Sequence, residues 1–341
     1  MGSLMASGTI PVRKIDKYIL HKQLGCGAMG AVWLSHHMGL DIPVAIKVLK
    51  KSLAMEEPEY LKRFIQEGKL AGSINHPNII RIYDAGHVGE TYYLVMEYVE
   101  GCDALNLLAE RGRFSIDEVV SMGIILAEAL HEAHMHNIIH RDIKPDNIMV
   151  SHDGTLKLSD LGLAKHINDD FSSTINGAAI GSPNYISPEQ VRNAKMADAR
   201  SDIYSLGATL YHAITGQVPF KGSTAMDVML KHCNDKLVPP KSINPKIPSQ
   251  LSKIICKMMK KLPENRFQSC EELSDALCKF KYFKPQKKHL SKRYVNLEGT
   301  KIERLISKKP SKRKSRQKQL LLPVICSLSV ILLIIIFILL K

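Results

Sequence analysis

The stretch that decides the fold is His140-Arg141-Asp142-Ile143-Lys144-Pro145-Asp146-Asn147, followed thirteen positions after Asn147 by Asp160-Leu161-Gly162. The first group brings a carboxylate, a lysine and a carboxamide together. The second adds a carboxylate at the end of an extended apolar stretch. Such a set suits phosphoryl transfer, which needs little covalent help but much positioning and charge neutralisation. Asp142 would orient an acceptor hydroxyl and take its proton. Lys144 would set a point charge on the γ-phosphate, and Asn147 and Asp160 would hold Mg²⁺ against the phosphates.

Upstream, Leu24-Gly25-Cys26-Gly27-Ala28-Met29-Gly30-Ala31-Val32 fits G-x-G-x-x-G-x-V. Glycines let a backbone lie close over phosphate oxygens. The same glycine spacing opens dinucleotide-binding units, but there a helix follows. Here residues 31–36 and 43–49 both read as strands, which predicts a hairpin lid. The second strand carries Val44-Ala45-Ile46-Lys47, with Lys47 in reach of the α- and β-phosphates. Glu67, in the helix-like stretch 60–71, is the carboxylate expected to hold Lys47. Its rival, Glu59, stands at the start of that stretch, where the helix dipole accounts for an acid. The strand Tyr93-Leu94-Val95-Met96 leads into Glu97-Tyr98-Val99, whose backbone groups at Glu97 and Val99 suit an adenine edge.

With these motifs in this order, the chain resembles the protein kinase superfamily, and within it the bacterial Hanks-type serine/threonine kinases. The resemblance runs over 18–283 and takes in Gly181-Ser182-Pro183-Asn184-Tyr185-Ile186-Ser187-Pro188-Glu189, Asp202 and Asn265-Arg266. It implies an α+β, bilobal fold, with a small β-rich N-lobe over about 18–98 and a larger helical C-lobe over about 99–283. It implies ATP with Mg²⁺, or Mn²⁺ in its place, and protein substrates bearing Ser or Thr. The nucleotide would lie against residues 24–32, Ala45, Lys47, Glu97 and Val99. Catalysis would rest on Asp142, Lys144, Lys47 and Glu67, and the metal on Asn147 and Asp160. In the family Glu189 pairs with the arginine at Arg266, Asp202 steadies the catalytic loop, and the histidine at His140 packs rather than acting as a base. Two positions depart from the pattern, Leu161 for the usual Phe and Ser187 for the usual Ala, and neither removes a charge or a ligand. Two other readings stay open. A pseudokinase scaffold would usually have lost Lys47, Asp142 or Asp160, and a small-molecule phosphotransferase usually lacks Ser187-Pro188-Glu189.

The 341-residue chain has a formal net charge of +14, unevenly spread. Residues 279–341 hold 17 Lys/Arg and 2 Asp/Glu, and residues 1–278 hold 30 and 31. A basic tail beside a neutral catalytic stretch argues against nucleic acid as a partner. Residues 320–340 carry no charge and match the roughly 20 residues that span a bilayer core. The basic linker 284–319, with its run Lys308-Lys309-Pro310-Ser311-Lys312-Arg313-Lys314-Ser315-Arg316, predicts a cytoplasmic kinase domain on a single-pass anchor, with anionic lipid as a partner of the linker. The extension 1–17 has no apolar run of the kind that directs secretion, and Ala6 breaks a myristoylation pattern. The seven scattered cysteines read as reduced thiols, and Cys26 as a small side chain at a loop tip.

Further strands are expected near 80–85 and 91–96 and a helix near 58–71. Ser115-Ile116-Asp117-Glu118 predicts a capping box, with Met122, Ile125, Leu126, Ala129 and Leu130 on one helical face behind it. A second helix is expected over 202–215, ended by Gly216. His131-Glu132-Ala133-His134-Met135-His136 mimics a zinc-protease motif, but Met135 stands where the second histidine is needed. Ser172, Ser173 and Thr174 lie where a phosphate would reach Arg141. This predicts activating autophosphorylation, foremost at Thr174, between two copies in a dimer. Ser182 is expected to contact the catalytic loop instead.

Overall fold

The structure, a computed structural model, describes residues 13–27, 30–49, 65, 68, 71–161 and 183–280. Six strands form one antiparallel sheet: β1 (Arg13–Ile15), β2 (Tyr18–Cys26), β3 (Gly30–His37), β4 (Ile42–Leu49), β5 (Ile82–Val88) and β6 (Thr91–Glu97), in the order β1-β2-β3-β4-β6-β5. Strand periodicity divides the two central strands cleanly. Val44 and Ile46 of β4 join Tyr93 and Val95 of β6, with Tyr18, in one core cluster. Their neighbours Ala45 and Met96 join a different cluster, on the side of the cleft. Lys47 follows Ala45 at the same period of two. β1 was not expected. It lies in the stretch read as an N-terminal extension, and the turn after it is pinned by Lys17 Nζ and Tyr18 Oη, both on Asp84 Oδ2 at 3.1 and 3.2 Å.

A second, three-stranded sheet, β7 (Gly101–Asp103), β8 (Ile148–Ser151) and β9 (Leu156–Leu158), frames the catalytic segment. Around it lie α1 (Ala104–Arg111), α2 (Ile116–Met135), α3 (Pro188–Arg192), α4 (Ala199–Thr215), α5 (Ala225–Asn234), α6 (Pro240–Ile243), α7 (Ser249–Met258) and α8 (Cys270–Cys278). α2 opens on the expected capping box: the Glu118 N–H donates to Ser115 Oγ, and the Ser115 N–H to Glu118 Oε2. Met122, Leu126, Ala129 and Leu130 are buried, with Ile125 packed against them. α4 begins three residues before the expected Asp202, because Asp198 caps it by accepting from the Arg200 N–H. It ends at Gly216, whose φ of +73° is the left-handed C-cap conformation. The expected helix near 58–71 is described only at Ile65, Gly68 and Ala71, which are helical, and the helix continues to Gly72. The result is a bilobal fold, a β-sheet lobe joined to a helical one, as the resemblance implied.

Among the described residues no helix is long and apolar enough to cross a membrane. The segment expected to do so, 320–340, lies outside them, as does the basic linker 284–319.

The expected pair of Glu189 and Arg266 is formed, and Arg266 is buried. Its Nη1 and Nη2 meet Glu189 Oε1 and Oε2 at 2.7 Å each, a bidentate fork. The remaining donors go to the carbonyls of Lys260, Lys261 and Arg200, and the guanidinium lies 4.9 Å from the Tyr204 ring. Burial pushes the Glu189 carboxyl up, but the Arg266 hydrogen bonds and charge outweigh it, so the net shift is downward from 4.5. A carboxyl so depressed contributes stability above its unfolded value and loses it as pH falls through the folded one. Replacing Arg266 by Met leaves a buried carboxylate without its cation, at a cost of about 3–5 kcal/mol. In urea unfolding, the Glu189 contribution should rise with pH toward about 4.5 in the parent and fall with pH in Arg266→Met, because burial, the largest influence on this carboxyl, is then opposed only by the Ser201 hydroxyl and the main chain.

Candidate active site

The residues 140–147 leave α2 and re-enter the fold at β8, and their backbone is held from below by α4. Asp202, buried in the first turn of α4, accepts three hydrogen bonds. The His140 N–H reaches Oδ2 at 2.9 Å, the Arg141 N–H reaches Oδ1 at 2.8 Å, and His134 Nε2 reaches Oδ2 at 2.8 Å. Arg141 sits at φ +64°, a conformation that L residues avoid unless the surroundings impose it. His140 is buried as expected. Its Nε2 donates to the Ser159 carbonyl at 2.8 Å and its Nδ1 accepts from the Asp142 N–H at 3.3 Å, which places the ring proton on Nε2.

Asp142 carries the centre of the site. Lys144 Nζ stands 3.0 Å from its Oδ2, and Asn147 Nδ2 donates to its Oδ2 at 3.1 Å and to its main-chain carbonyl at 2.7 Å. Burial lowers the Lys144 pKa, but the Asp142 charge and hydrogen bond raise it further, and the net shift is upward. The ammonium is therefore fully charged at neutral pH. The Ser159 N–H donates to the Asn147 carbonyl at 2.9 Å, which ties the catalytic loop to the segment that presents Asp160. Asp160, at φ +59°, extends its Oδ1 to 2.7 Å from Lys47 Nζ. Five of the expected residues of the two lobes thus converge: Lys47, Asp160, Asn147, Asp142 and Lys144. Glu67 and Gly162 lie outside the described residues.

An apolar cluster accompanies this polar group. Ala45, Ile80, Met96 and Val99 form one cluster, with Val32, Tyr98 and Met149 packed against it. Val32 and Ala45 come from the sheet lobe and Met149 from β8. Met149 was not foreseen, although its alternation with the buried Ile148 and Val150 marks it as facing away from the helical core. At Glu97 the expectation needs refining. Its N–H already donates to the Arg81 carbonyl at 2.8 Å, so only its carbonyl is left for a ligand. Its carboxylate is held by Lys157 of β9 at 2.9 Å, a partner the sequence did not reveal.

The glycine loop serves two purposes. Leu24, Gly25, Cys26 and Gly27 are exposed, and a Cβ on Gly25 or Gly27 would meet no protein atom within 4 Å. Their glycines leave room for a ligand. Gly30 is different: a Cβ there would fall 1.9 Å from the Val48 carbonyl oxygen, so the strand pairing itself demands glycine. The Gly27 N–H closes the hairpin on the Gly30 carbonyl at 2.8 Å. Ala31 and Val32 continue β3, and Ala28 and Met29 lie outside the described residues.

Asp160 and Asn147 offer hard oxygen donors, the type Mg²⁺ prefers. Among the described residues no group of three His, Cys, Asp or Glu could hold a metal by itself. The zinc-like histidines are accounted for otherwise: His134 bonds Asp202, and His136 lies 3.6 Å from Glu132.

This arrangement defines a bilobal phosphotransferase site. The chain belongs to the protein kinase domain family, whose model matches residues 18–283. It is 39% identical over 266 residues to a probable serine/threonine-protein kinase of Clostridium acetobutylicum, covering 78% of this chain and 40% of that protein. It is 37% identical over 257 residues to the serine/threonine-protein kinase PrkC of Bacillus subtilis, covering 75% of this chain and 39% of that protein. The chain thus spans about 40% of the length of these curated relatives. Among solved structures, the PknI kinase domain of Mycobacterium tuberculosis superposes with a TM-score of 0.62 at 27% identity, over 79% of this chain and 98% of that one.

One departure from the family pattern makes a contact. Ser187 is buried, and its Oγ donates to Gln190 Oε1 at 2.9 Å. This orients the amide so that Gln190 Nε2 donates to the Arg141 carbonyl at 2.9 Å. Alanine here removes the hydroxyl without enlarging the side chain. Ser187→Ala should cost about 1 kcal/mol of stability and a few-fold in kcat with little change in KM for ATP, as loss of one positioning hydrogen bond would. Steady-state kinetics beside urea unfolding checks it.

Proposed function

We propose that the chain is a membrane-anchored serine/threonine protein kinase, transferring the γ-phosphoryl group of ATP to Ser and Thr hydroxyls of cytoplasmic proteins. The observation that carries the reading is the convergence of Asp142, Lys144, Asn147, Asp160 and Lys47. Asp142, steadied by Asn147, orients the acceptor hydroxyl and takes its proton. Lys144 supplies a fixed positive charge beside it, and Lys47 fixes the donor phosphates. Mg²⁺, held by Asn147 and Asp160, neutralises charge on the phosphates when bound. Relatives named as serine/threonine kinases support the acceptor type, as does Lys144-Pro145. Asp142→Asn and Asp160→Asn should each lower turnover by at least about 10²-fold while leaving the fold intact. The check is γ-phosphate transfer beside circular dichroism, and near-parent turnover in either variant would refute the mechanism. Mass spectrometry of the same reactions tests autophosphorylation between two copies. Phosphate should appear within Ser172, Ser173 and Thr174, and an unmodified parent loop would end that part of the reading.

The anchor rests on 320–340, uncharged and long enough to span, after the basic linker 284–319. Removing 320–341 should release an active enzyme from membranes. Retention after a high-salt wash would contradict a single-span anchor. Retention at low salt alone would assign the attachment to the linker.

A further inference from the structure

The near-neutral balance of 1–278 conceals a segregation of charge inside the helical lobe. Residues 236–263 contain seven lysines and no Asp or Glu, and the rest of 1–278 holds 23 Lys/Arg and 31 Asp/Glu. This run is folded. It comprises α6, α7 and the connections around them.

The geometry gathers much of this charge on one stripe. α7 buries Leu251, Ile254, Ile255 and Met258 against the core. Its opposite face carries Ser249, Lys253 and Lys257, at spacings of four residues, and the exposed Lys260 follows two residues past the helix end. Lys241 of α6 reaches the start of the same stripe, its Nζ 2.6 Å from Ser249 Oγ. Lys257 is turned to the border, paired with Glu272 of α8 at 2.8 Å and lying over the Phe267 ring. Lys253 and Lys260 are exposed and make no ion pair among the described residues, and Lys246, in the connection before α7, does likewise. Apolar side chains stand exposed in the same run, Val238 and Ile243. A stretch that exposes both uncompensated lysines and aliphatic side chains has the composition of a surface that settles at a lipid headgroup boundary.

We propose that this lysine stripe of α6 and α7 is a second membrane contact, seating the helical lobe on an anionic phospholipid surface. It deepens, and rests on, the membrane reading above. The charge is complementary to an anionic leaflet, and the chain runs on from α8 into the basic linker and the apolar 320–340 stretch. The contact would orient the catalytic lobe on the leaflet and make its docking depend on ionic strength and lipid charge.

Lysine acetylation footprinting of the full chain, reconstituted into vesicles of neutral phosphatidylcholine or of phosphatidylcholine with phosphatidylglycerol, tests this. Labelling of Lys241, Lys246, Lys253 and Lys260 should fall about fivefold or more on the charged vesicles and return in high salt. Labelling of Lys22 on β2 should not change. Lys253→Gln/Lys260→Gln, which leaves the catalytic residues untouched, should restore labelling of Lys241 and Lys246 on charged vesicles and leave peptide phosphorylation unaltered. Recovery of the chain with neutral vesicles reports the anchor separately, so its failure would not be mistaken for failure of the stripe. Equal labelling on both vesicles, or protection by added RNA and not by charged lipid, would overturn the proposal.

Discussion

The arrangement of the site depends on one buried carboxylate. Asp202 satisfies two consecutive main-chain N–H groups, those of His140 and Arg141, and a side-chain donor from His134 on α2. Consecutive amides can point at one carboxylate only if the backbone turns sharply, and the left-handed φ of Arg141 supplies that turn. Such a conformation costs about 1 kcal/mol or more on its own. The charge-assisted hydrogen bonds offset it, because two donors buried without an acceptor would cost more. Asp142 and Lys144 inherit their positions from this turn. α4 is almost wholly buried, so the reference point itself is fixed by the core.

A second strained residue shows the same logic with a softer support. Asp160 also has a left-handed φ, and among the described residues its carboxylate pairs with Lys47 across the cleft. Fixed on one side by the Ser159 link to Asn147, it is held on the other by an ion pair that solvent reaches. The two lobes therefore meet at a contact that phosphate oxygens can enter.

What the sequence disclosed and what it hid follow from the range of each interaction. The catalytic loop, the metal-holding Asp160, the lysine strand and the capping box are specified within a few residues, where spacing alone determines which groups share a face. The Glu189 pair with Arg266 was legible only through the family pattern, since 77 residues separate them. Lys157, Met149 and the Ser187–Gln190–Arg141 chain were not legible. Each depends on which strand lies beside which, and a lysine in a short apolar strand looks like any solvated lysine. β1 escaped because three residues carry no readable period. Gly30 was assigned to the phosphate, and the sequence did not reveal that strand packing also requires glycine there. The lysine stripe was hidden by a sum: acids elsewhere in the fold cancel it in the total but not in space.

Among the described residues, the ion pairs of the site differ in kind from the buried pair that braces the helical lobe. Glu189 and Arg266 are buried, bidentate and supplied with further hydrogen bonds, so removing either partner strands a charge in the core. Such a pair gives one arrangement. Lys47 with Asp160, Lys144 with Asp142 and Lys157 with Glu97 each retain water access at one partner or both. Solvent reduces what such pairs contribute and what it costs to open them. Two of these accessible pairs join residues assigned to ATP, Mg²⁺ or the acceptor, and the third braces the end of β6. The rigid pair fixes the helical lobe as a platform. The accessible pairs hold lysines and carboxylates poised near one another, so that phosphate and cation can exchange for existing partners without a bare charge being created.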